Sequence, residues 1–242
     1  MGARYRSNTD PFAGFFIVIF VFVMVFLVEE YKSKKEQERR DKIKDYCDNN
    51  GLEYSELACH IPDKVYPFSI MNSEKGHSHE YVAETSGMRG DYYFSIFEHT
   101  YVTGYGKSAT YFHDTLCIIS REGLDMPQFF LRDENMILDT LGKVFGGQDI
   151  NFNEDPTFSK SFVLQGYCEE DVREFFNPPI RDAFVRYHLS GYKYEGKNQF
   201  FMIARTGGSD IPERLKMLSI GISIFKVLAP ESDFGESLGN VI

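Results

Sequence analysis

The sequence predicts an α+β protein with one transmembrane helix that continues into a charged stalk, then a mostly antiparallel sheet packed with helices. Three observations predict this fold. Residues 12–28 are apolar throughout, residues 29–50 are densely charged, and residues 51–242 alternate short extended runs with glycine and proline, without regular βαβ alternation. We therefore expect an N-terminal tail (1–11), a transmembrane helix, a charged helical stalk and a soluble α+β domain.

The apolar run reads FAGFFIVIFVFVMVFLV and contains no charged or polar side chain. As a helix it spans about 25 Å, short of the roughly 30 Å hydrocarbon core, and flanking residues with bilayer thinning can close that gap. Asp10 and Pro11 suit the first turn of a helix. The run ends in Glu29-Glu30-Tyr31 rather than in small residues, which argues against a cleaved signal peptide.

Basic residues predict the orientation of this helix. The N-terminal tail has only Arg4 and Arg6, and the larger number of lysines and arginines follows the run. Because basic flanks stay on the cytoplasmic side, we expect a single-pass membrane protein whose soluble domain is cytoplasmic. The basic residues of the C-terminal flank are Lys32, Lys34, Lys35, Arg39, Arg40, Lys42 and Lys44.

The stalk is predicted as a solvated helix rather than a coiled coil. Glu30/Lys34, Glu36/Arg40 and Glu38/Lys42 place an acid four residues before a base, which is the stabilising order. Large apolar residues are too sparse for a heptad seam. Asn49-Asn50-Gly51 is a typical helix end.

The soluble domain contains the predicted sheet and helices. Its last helix begins at Ser209 or Asp210, with Ile211, Leu215, Leu218, Ile222 and Phe225 on one face, and is expected to be buried. Proline and glycine punctuation separates the earlier elements. We predict strands near 79–86, 91–103, 108–120, 127–132 and 159–166, helices near 133–145, 169–176 and 178–189, and a hairpin at 192–206 that turns over 195–198.

The stretch YVTGYGKSAT at 101–110 ends like a phosphate-binding loop but lacks its other parts. The first glycine of that motif would fall on Tyr101, and the following residues favour a strand rather than a helix. We interpret the stretch as a hairpin with a turn over Gly104 to Lys107. Thr103 then pairs with Ser108, and Glu98 lies opposite His113.

Other groups of chemically active residues carry weak signals. His77 and His79 could form a metal pair on one strand face, which Cys59-His60 or His99 could join only through folding. Asp149, Glu154 and Asp155 could hold a cation, but a polar turn explains them better. Cys47, Cys59, Cys117 and Cys168 fit no metal pattern and are expected to be reduced structural thiols. The sequence therefore predicts no catalytic, cofactor-binding or metal-binding residue, and no cofactor.

Charge excludes one class of partner. The net charge is −10, and because residues 1–28 carry +1 and residues 29–50 balance, the domain carries −11. An acidic domain argues against nucleic acid, which needs clustered lysine and arginine, and against docking of the domain on anionic lipid. The expected partners are the lipid bilayer, through residues 12–28, and a protein partner or a second copy of the chain.

Several short motifs, in order, resemble a family of uncharacterised bacterial membrane-anchored proteins, over roughly residues 91–228. The resemblance implies the same anchoring and α+β architecture, but no activity. The motifs are a glycine-lysine turn at 103–107, P-x-F-x-L-R-x-E at 127–134, D-I-x-F at 149–152, P-x-F-S at 156–159, L-x-G at 164–166 and V-R-x-x-F from Val172.

These observations favour a non-catalytic role in protein interaction, as a scaffold or an accessory subunit at a membrane. Two alternatives stay open. A membrane-tethered hydrolase could use Asp149, Glu154 or His113 and would need a concave site with perturbed pKa values. A domain that binds a small ligand or lipid between sheet and helix would need a large apolar cavity.

Overall fold

A computed structural model describes residues 11–58, 68–69, 76–134 and 149–230. The chain divides into two compact units, Met1–Asp45 and Tyr46–Ile242. Helix α1, Pro11–Asn50, begins in the first unit and ends in the second.

Helix α1 runs without a break through the apolar run and the charged stretch. The side chains from Phe15 to Val28 are exposed all round the helix. Two of the predicted acid–base pairs form in the charged stretch, where Lys34 Nζ lies 2.8 Å from Glu30 Oε1 and Arg40 Nε 3.2 Å from Glu36 Oε1. No helix in the described ranges combines the length and the apolar character that crossing a membrane requires.

The end of α1 is closed by glycine, as predicted. Gly51 has φ +63°, and the amide of Leu52 donates to the carbonyl of Cys47 at 3.0 Å. This bond satisfies one of the free carbonyls of the last turn, and the positive φ explains why the helix ends at a glycine.

One eight-stranded sheet organises the second unit, in the order β1-β2-β3-β4-β8-β7-β5-β6 with every neighbouring pair antiparallel. This confirms the predicted α+β class with a large antiparallel sheet and a C-terminal helix. The strands are β1 (Glu53–Leu57), β2 (Gly76–Arg89), β3 (Tyr92–Thr103), β4 (Thr110–Ser120), β5 (Met126–Asp133), β6 (Phe162–Gly166), β7 (Tyr192–Asn198) and β8 (Phe200–Thr206).

In the described residues, four further helices pack with this sheet, and three begin with a side chain that accepts a hydrogen bond from the first turn. Asp155 caps α2, Asn177 caps α4 and Asp210 caps α5, each followed by a proline in the first turn. The predicted start of the last helix is thus confirmed. The helices are α2 (Pro156–Ser161), α3 (Glu169–Phe175), α4 (Pro178–Arg186) and α5 (Ile211–Leu228).

The two faces of the sheet bury different clusters. The larger cluster joins strands to helices through aromatic side chains such as Phe129, Phe184 and Phe225. The smaller cluster lies on the other face and includes Phe97 and Met202. Phenylalanine supplies most of the largest fully buried side chains, as the aromatic content of the sequence suggested.

Several predicted elements differ from the structure. Strand β1 was not predicted, and the strand expected at 159–166 begins only at Phe162, after α2. The helix predicted at 133–145 falls mostly outside the described residues; Asp133 ends β5 and Glu134 is in a turn. The hairpin at 192–206 exists, but its turn is Asn198-Gln199, because Asn198 adopts φ +52°.

Helix α5 is buried at Leu218 and Phe225, as predicted, but the rest of its buried face differs from the predicted one. Leu215 is exposed, whereas Arg214 and Gly221 face the core. A Cβ atom at Gly221 would lie 2.7 Å from Ile119 Cδ1 and 2.8 Å from Ile203 Cδ1. The glycine therefore permits close packing of helix on sheet, a role that hydrophobic periodicity does not reveal.

Gly196 in β7 provides a test of this packing. It pairs with Phe129 in β5 and lies under the ring, where a Cβ would approach the Phe129 Cε1 atom to 2.1 Å. We expect Gly196→Ala to destabilise the domain by roughly 1–3 kcal/mol through overpacking. Urea unfolding of the purified chain in mild detergent measures this loss. Gly123→Ala is a poor control, because Gly123 has a positive φ that strains any other residue. Ser223→Ala, on the outer part of α5, is the preferred control and should change the free energy of unfolding little. An unchanged unfolding free energy for Gly196→Ala would contradict the packing.

Candidate functional site: the aromatic end of strands β2 to β4

Strands β2, β3 and β4 continue beyond the point where β8 ends. Pairing of β4 with β8 stops at Asp114–Thr206, whereas pairing of β4 with β3 continues to Thr110–Thr103. Just beyond the paired residues of β8, the amide of Gly207 donates to the carbonyl of His113 at 2.7 Å. We call this projecting part, residues 77–81 and 99–113, the aromatic end. It extends about 13 Å past β8.

Stacked rings line one face of the aromatic end. Tyr81 pairs with His99 across β2 and β3, and Tyr101 pairs with Phe112 across β3 and β4. The ring centroids are 4.7 Å apart for Tyr81 and His99, 5.1 Å for His99 and Tyr101, and 4.9 Å for Tyr101 and Phe112. Such cross-strand aromatic pairs stabilise a sheet beyond their buried area, so the stack holds the ends of β2, β3 and β4 together.

A β-bulge sets the positions of the two predicted imidazoles. Ser78 has φ +55°, and the pairing of β2 with β3 shifts by one residue between His77 and Glu80. As a result His77 lies opposite Val102 and stacks on Tyr105 at 4.5 Å, whereas His79 joins the ring stack on the other face. The prediction that His77 and His79 share one strand face is therefore wrong.

The stack instead joins His79 to His99. The Nδ1 atom of His79 lies 2.9 Å from Nε2 of His99, which is a hydrogen-bond distance with one proton between the two nitrogens. Both atoms are thus committed to each other rather than to a metal ion. Within the described ranges, no group of three histidine, cysteine, aspartate or glutamate residues is arranged to hold a metal.

Burial keeps the His99 imidazole neutral. Burial, assisted by the charges of His79 and His113, lowers the pKa of His99 from 6.5 to about 4. His99 therefore remains neutral at physiological pH, and its Nδ1 atom is buried without a hydrogen-bond partner in the described part of the chain.

This depressed pKa predicts a loss of stability in mild acid. Unfolded His99 takes up a proton near pH 6.5 but the folded side chain does so only near pH 4. The contribution of neutral His99 to the free energy of unfolding is therefore fully present above pH 6.5. As the pH falls from 6.5 to 4, this free energy decreases by up to about 3 kcal/mol. His99→Phe, which keeps a stacking ring, should flatten the unfolding free energy between these pH values. Equal slopes for both chains in urea titrations would contradict the assignment.

The turn that connects β3 and β4 is not a phosphate loop. Gly104 and Gly106 have φ +72° and +58°, as a tight turn requires, and Gly106–Ser108 form a short 3-10 turn. The predicted pairing of Thr103 with Ser108 is wrong: Thr103 pairs with Thr110, because the connection is two residues longer at its C-terminal end. In this turn, the Ser108 hydroxyl donates to the carbonyl of Tyr105 at 2.9 Å.

The new register changes the partner of Glu98. Glu98 lies opposite Thr115 rather than His113, but the His113 Nε2 atom still approaches Glu98 Oε2 to 3.2 Å on the diagonal. The other carboxylate oxygen of Glu98 accepts from Arg214 Nη2 at 3.1 Å. Both Glu98 and Arg214 are buried, so this ion pair fixes α5 on the sheet.

Arg214 also supports a second bulge in β2. Its Nη1 atom donates to the carbonyl of Ala83 at 2.7 Å, to the Thr85 hydroxyl at 3.0 Å and to the carbonyl of Ile96 at 3.3 Å. Ala83 has φ +53°, a conformation that is unfavourable for alanine and needs support from its surroundings. The cluster of Arg214 and Glu98 is therefore structural.

The acidic loop is structural as well. Asp155 accepts from the amide of Phe158 at 3.1 Å and from Arg181 Nε at 2.9 Å, while Glu154 lies 3.5 Å from Arg181. Hydrogen bonds and the charge of Arg181 outweigh burial and lower the pKa of Asp155. Asp149 is separate and accepts from Gln165 at 3.0 Å. The structure thus does not bring these carboxylates together around a cation.

The thiols do not form a reactive group in the described residues. Cys47 and Cys117 are buried, and burial raises the pKa of Cys117 to about 12. Cys168 is half-buried and is not in a disulfide. Cys59 and His60, which could have joined His99, lie outside the described residues.

The aromatic end has a surface suited to contact rather than to bond-making chemistry. Tyr105 is 78% exposed, Tyr111 80% and Phe112 39%. Residues 99–113 include no aspartate or glutamate and one lysine, Lys107. This surface was not predicted from the sequence, although aromatic residues recur on both sides of the Gly104–Lys107 stretch.

Comparison with solved structures finds a similar fold in the mycobacterial trehalose monomycolate transport factor A, TtfA. The TM-score is 0.50 and the sequence identity 10%, over 81% of this chain and 98% of that chain. The two chains share a fold. No family model matches this chain, and a comparison with curated proteins finds no match either. The resemblance to a bacterial membrane-anchored family therefore stays a prediction.

Proposed function

We propose that this chain is a membrane-anchored, non-catalytic accessory factor that acts by binding other proteins in a transport process. The observation that carries the proposal is the fold shared with TtfA, a transport factor, which extends over nearly the whole of that chain. Because a fold can host many functions, the proposal also depends on what the described residues offer chemically.

The apolar part of α1 supports the anchor. Its side chains from Phe15 to Val28 are exposed on every side of the helix, and the charged stretch begins directly after them. A continuous apolar surface of this kind is stable in water only when lipid or protein covers it. The flank that follows the apolar run has more lysines and arginines than the flank that precedes it. Because basic flanks stay on the cytoplasmic side, this difference favours a cytoplasmic position for the domain.

The arrangement of polar groups favours an accessory role over a tethered hydrolase. Each residue that a hydrolase was expected to use contacts another side chain. These contacts are Asp149 with Gln165, Glu154 with Arg181 and His113 with Glu98. The exposed aromatic end, by contrast, offers the side chains that are enriched at interfaces. Ligand binding between sheet and helix is the remaining alternative.

Cross-linking in native membranes tests the accessory role. The tagged full-length chain should cross-link to a component of a membrane transport machinery, and the same component should be recovered when residues 12–28 are exchanged for an unrelated transmembrane helix. Recovery with both chains places the interaction on the domain. A chain that remains monomeric in native membranes, or that turns over a substrate, would contradict the proposal.

Cysteine labelling tests the orientation. Cys47 is a poor reporter because its side chain is buried, whereas Ser33 is exposed on α1 just after the apolar run. Ser33→Cys in a chain with Cys59→Ser and Cys168→Ser should react with an impermeant reagent only after the cells are opened. Labelling of intact cells would reverse the orientation.

A further inference from the structure

We propose that the aromatic end is a membrane-contact surface, in which Tyr105, Tyr111 and Phe112 insert into the headgroup region of a phospholipid bilayer. This inference rests on the anchored state of the proposed function and adds a second, peripheral contact between the same chain and the bilayer.

The shape of the aromatic end fits insertion. Strands β3 and β4 extend past the last β8 pair, so within the described residues the turn at 104–109 projects beyond β8 at this end of the sheet. Tyr105 and Tyr111 are about four-fifths exposed, whereas most other aromatic side chains in the described part of the domain are buried or half-buried. Tyrosine has an apolar ring and a polar hydroxyl, a combination that is stable at the membrane interface.

Charge favours a lipid interface at this position over the rest of the domain. Residues 99–113 contain no carboxylate, although residues 51–242 together carry −11. Carboxylates are repelled by lipid phosphates, so the hairpin at 99–113 can approach headgroups more readily than a surface that bears them. The carboxylate of the aromatic end, Glu80, lies on β2 opposite Thr100, behind the turn. Lys107 at the turn can reach a phosphate oxygen. Because one lysine is outweighed by the acidic domain, insertion depends on the rings and needs no anionic lipid.

The ring stack behind the tip supplies rigidity. Phe112 stacks on Tyr101, and Tyr101 stacks on buried His99, so the Phe112 ring continues an ordered series that begins in the core. Tyr105 and Tyr111 lie on the opposite face of the sheet, where Tyr105 stacks on His77. A rigid aromatic tip loses little conformational entropy when it enters an interface.

The chain contains no tryptophan, which allows a specific fluorescence test. Tyr111→Trp places a single reporter at the tip, and Phe20→Trp places one in the apolar run. Tyr167→Trp is the matched control, since Tyr167 is 85% exposed but follows β6 at the far edge and opposite end of the sheet. Each full-length variant is reconstituted in nanodiscs of phosphatidylcholine with bromine on the upper part of the acyl chain, and its emission is compared with that in unbrominated discs.

We expect bromine to quench Tyr111→Trp and Phe20→Trp strongly and Tyr167→Trp hardly at all. Replacing part of the phosphatidylcholine by phosphatidylglycerol should not increase the quenching of Tyr111→Trp. Serine at both Tyr105 and Phe112 in the Tyr111→Trp chain should reduce its quenching, while the secondary structure measured by circular dichroism stays unchanged.

Three outcomes overturn the inference, and a fourth contradicts the anchored state on which it rests. Quenching of Phe20→Trp without quenching of Tyr111→Trp removes the tip contact and leaves the anchor in place. Quenching of Tyr111→Trp only in anionic discs contradicts insertion by the rings. A tip that is unquenched in lipid but shifts its emission when a cross-linked protein partner is added identifies a protein-docking surface instead. Failure of Phe20→Trp to be incorporated in the discs contradicts the anchored state itself.

Discussion

Replacing Arg214 with alanine is expected to lower the free energy of unfolding of the domain by about 3–5 kcal/mol, because it leaves the buried carboxylate of Glu98 without its charged partner. The same change removes the donor to the Ala83 carbonyl at the strained bulge of β2. For a domain of this size, such a loss lowers Tm by roughly 6 to 20 °C. Circular dichroism of the purified chain during thermal unfolding in mild detergent measures it.

A second ion pair, which joins α5 to β8, provides the control for this result. Arg205 Nη1 lies 2.6 Å from Glu213 Oε1, but both side chains are partly exposed, so Arg205→Ala should cost less than about 1 kcal/mol. Combining Arg214→Ala with Glu98→Gln should destabilise the domain by less than the sum of the single changes, since the two groups are coupled. Additive losses, or equal losses for Arg214→Ala and Arg205→Ala, would show that the buried pair is not what holds α5 on the sheet.

Lysine at both Phe20 and Val21 is expected to remove the chain from membranes. Each lysine at the centre of a membrane-spanning helix costs about 2.5–3.5 kcal/mol, and the apolar run is only just long enough to span a bilayer. We expect the wild-type chain to float with membranes in a density gradient and the double variant to stay in the dense, soluble or aggregated fraction.

The charged stretch of α1 offers a matched control. Ser33 and Gln37 are exposed on the same helix, and lysine at both positions adds the same charge outside the apolar run. This control should float as the wild type does. If the Phe20/Val21 variant floats equally well, the apolar run is not what binds the chain to membranes.

Much of the fold follows from local signals in the sequence. The Asp210 cap with Pro212 predicts the start of α5, and the run of β-branched and aromatic residues after Ser108 predicts β4. These elements are specified by neighbouring residues, so a single sequence is enough. The face of α5 is different, because Gly221 packs against Ile119 and Ile203, which are far away in the chain.

The candidate site could be predicted only in part, for the same reason. Gly104 and Gly106 predicted a hairpin. Its register could not be predicted, because Ser108 and Ala109 belong to the connection and Thr103 therefore pairs with Thr110. Ser78 carries no sequence signal for positive φ, so the bulge that separates His77 from His79 was not foreseeable. The ring stack arises from three strands in register, and the pairing of Tyr81 with His99 becomes visible only in the folded sheet.

Alkaline extraction of native membranes that contain the wild-type chain is the most direct test of anchoring, on which the proposed function depends. Carbonate at high pH strips proteins held by charge or by protein contacts but leaves a helix embedded in the hydrocarbon core in place. We expect the chain to stay in the membrane pellet until detergent is added. Its release into the supernatant by carbonate alone would contradict the account.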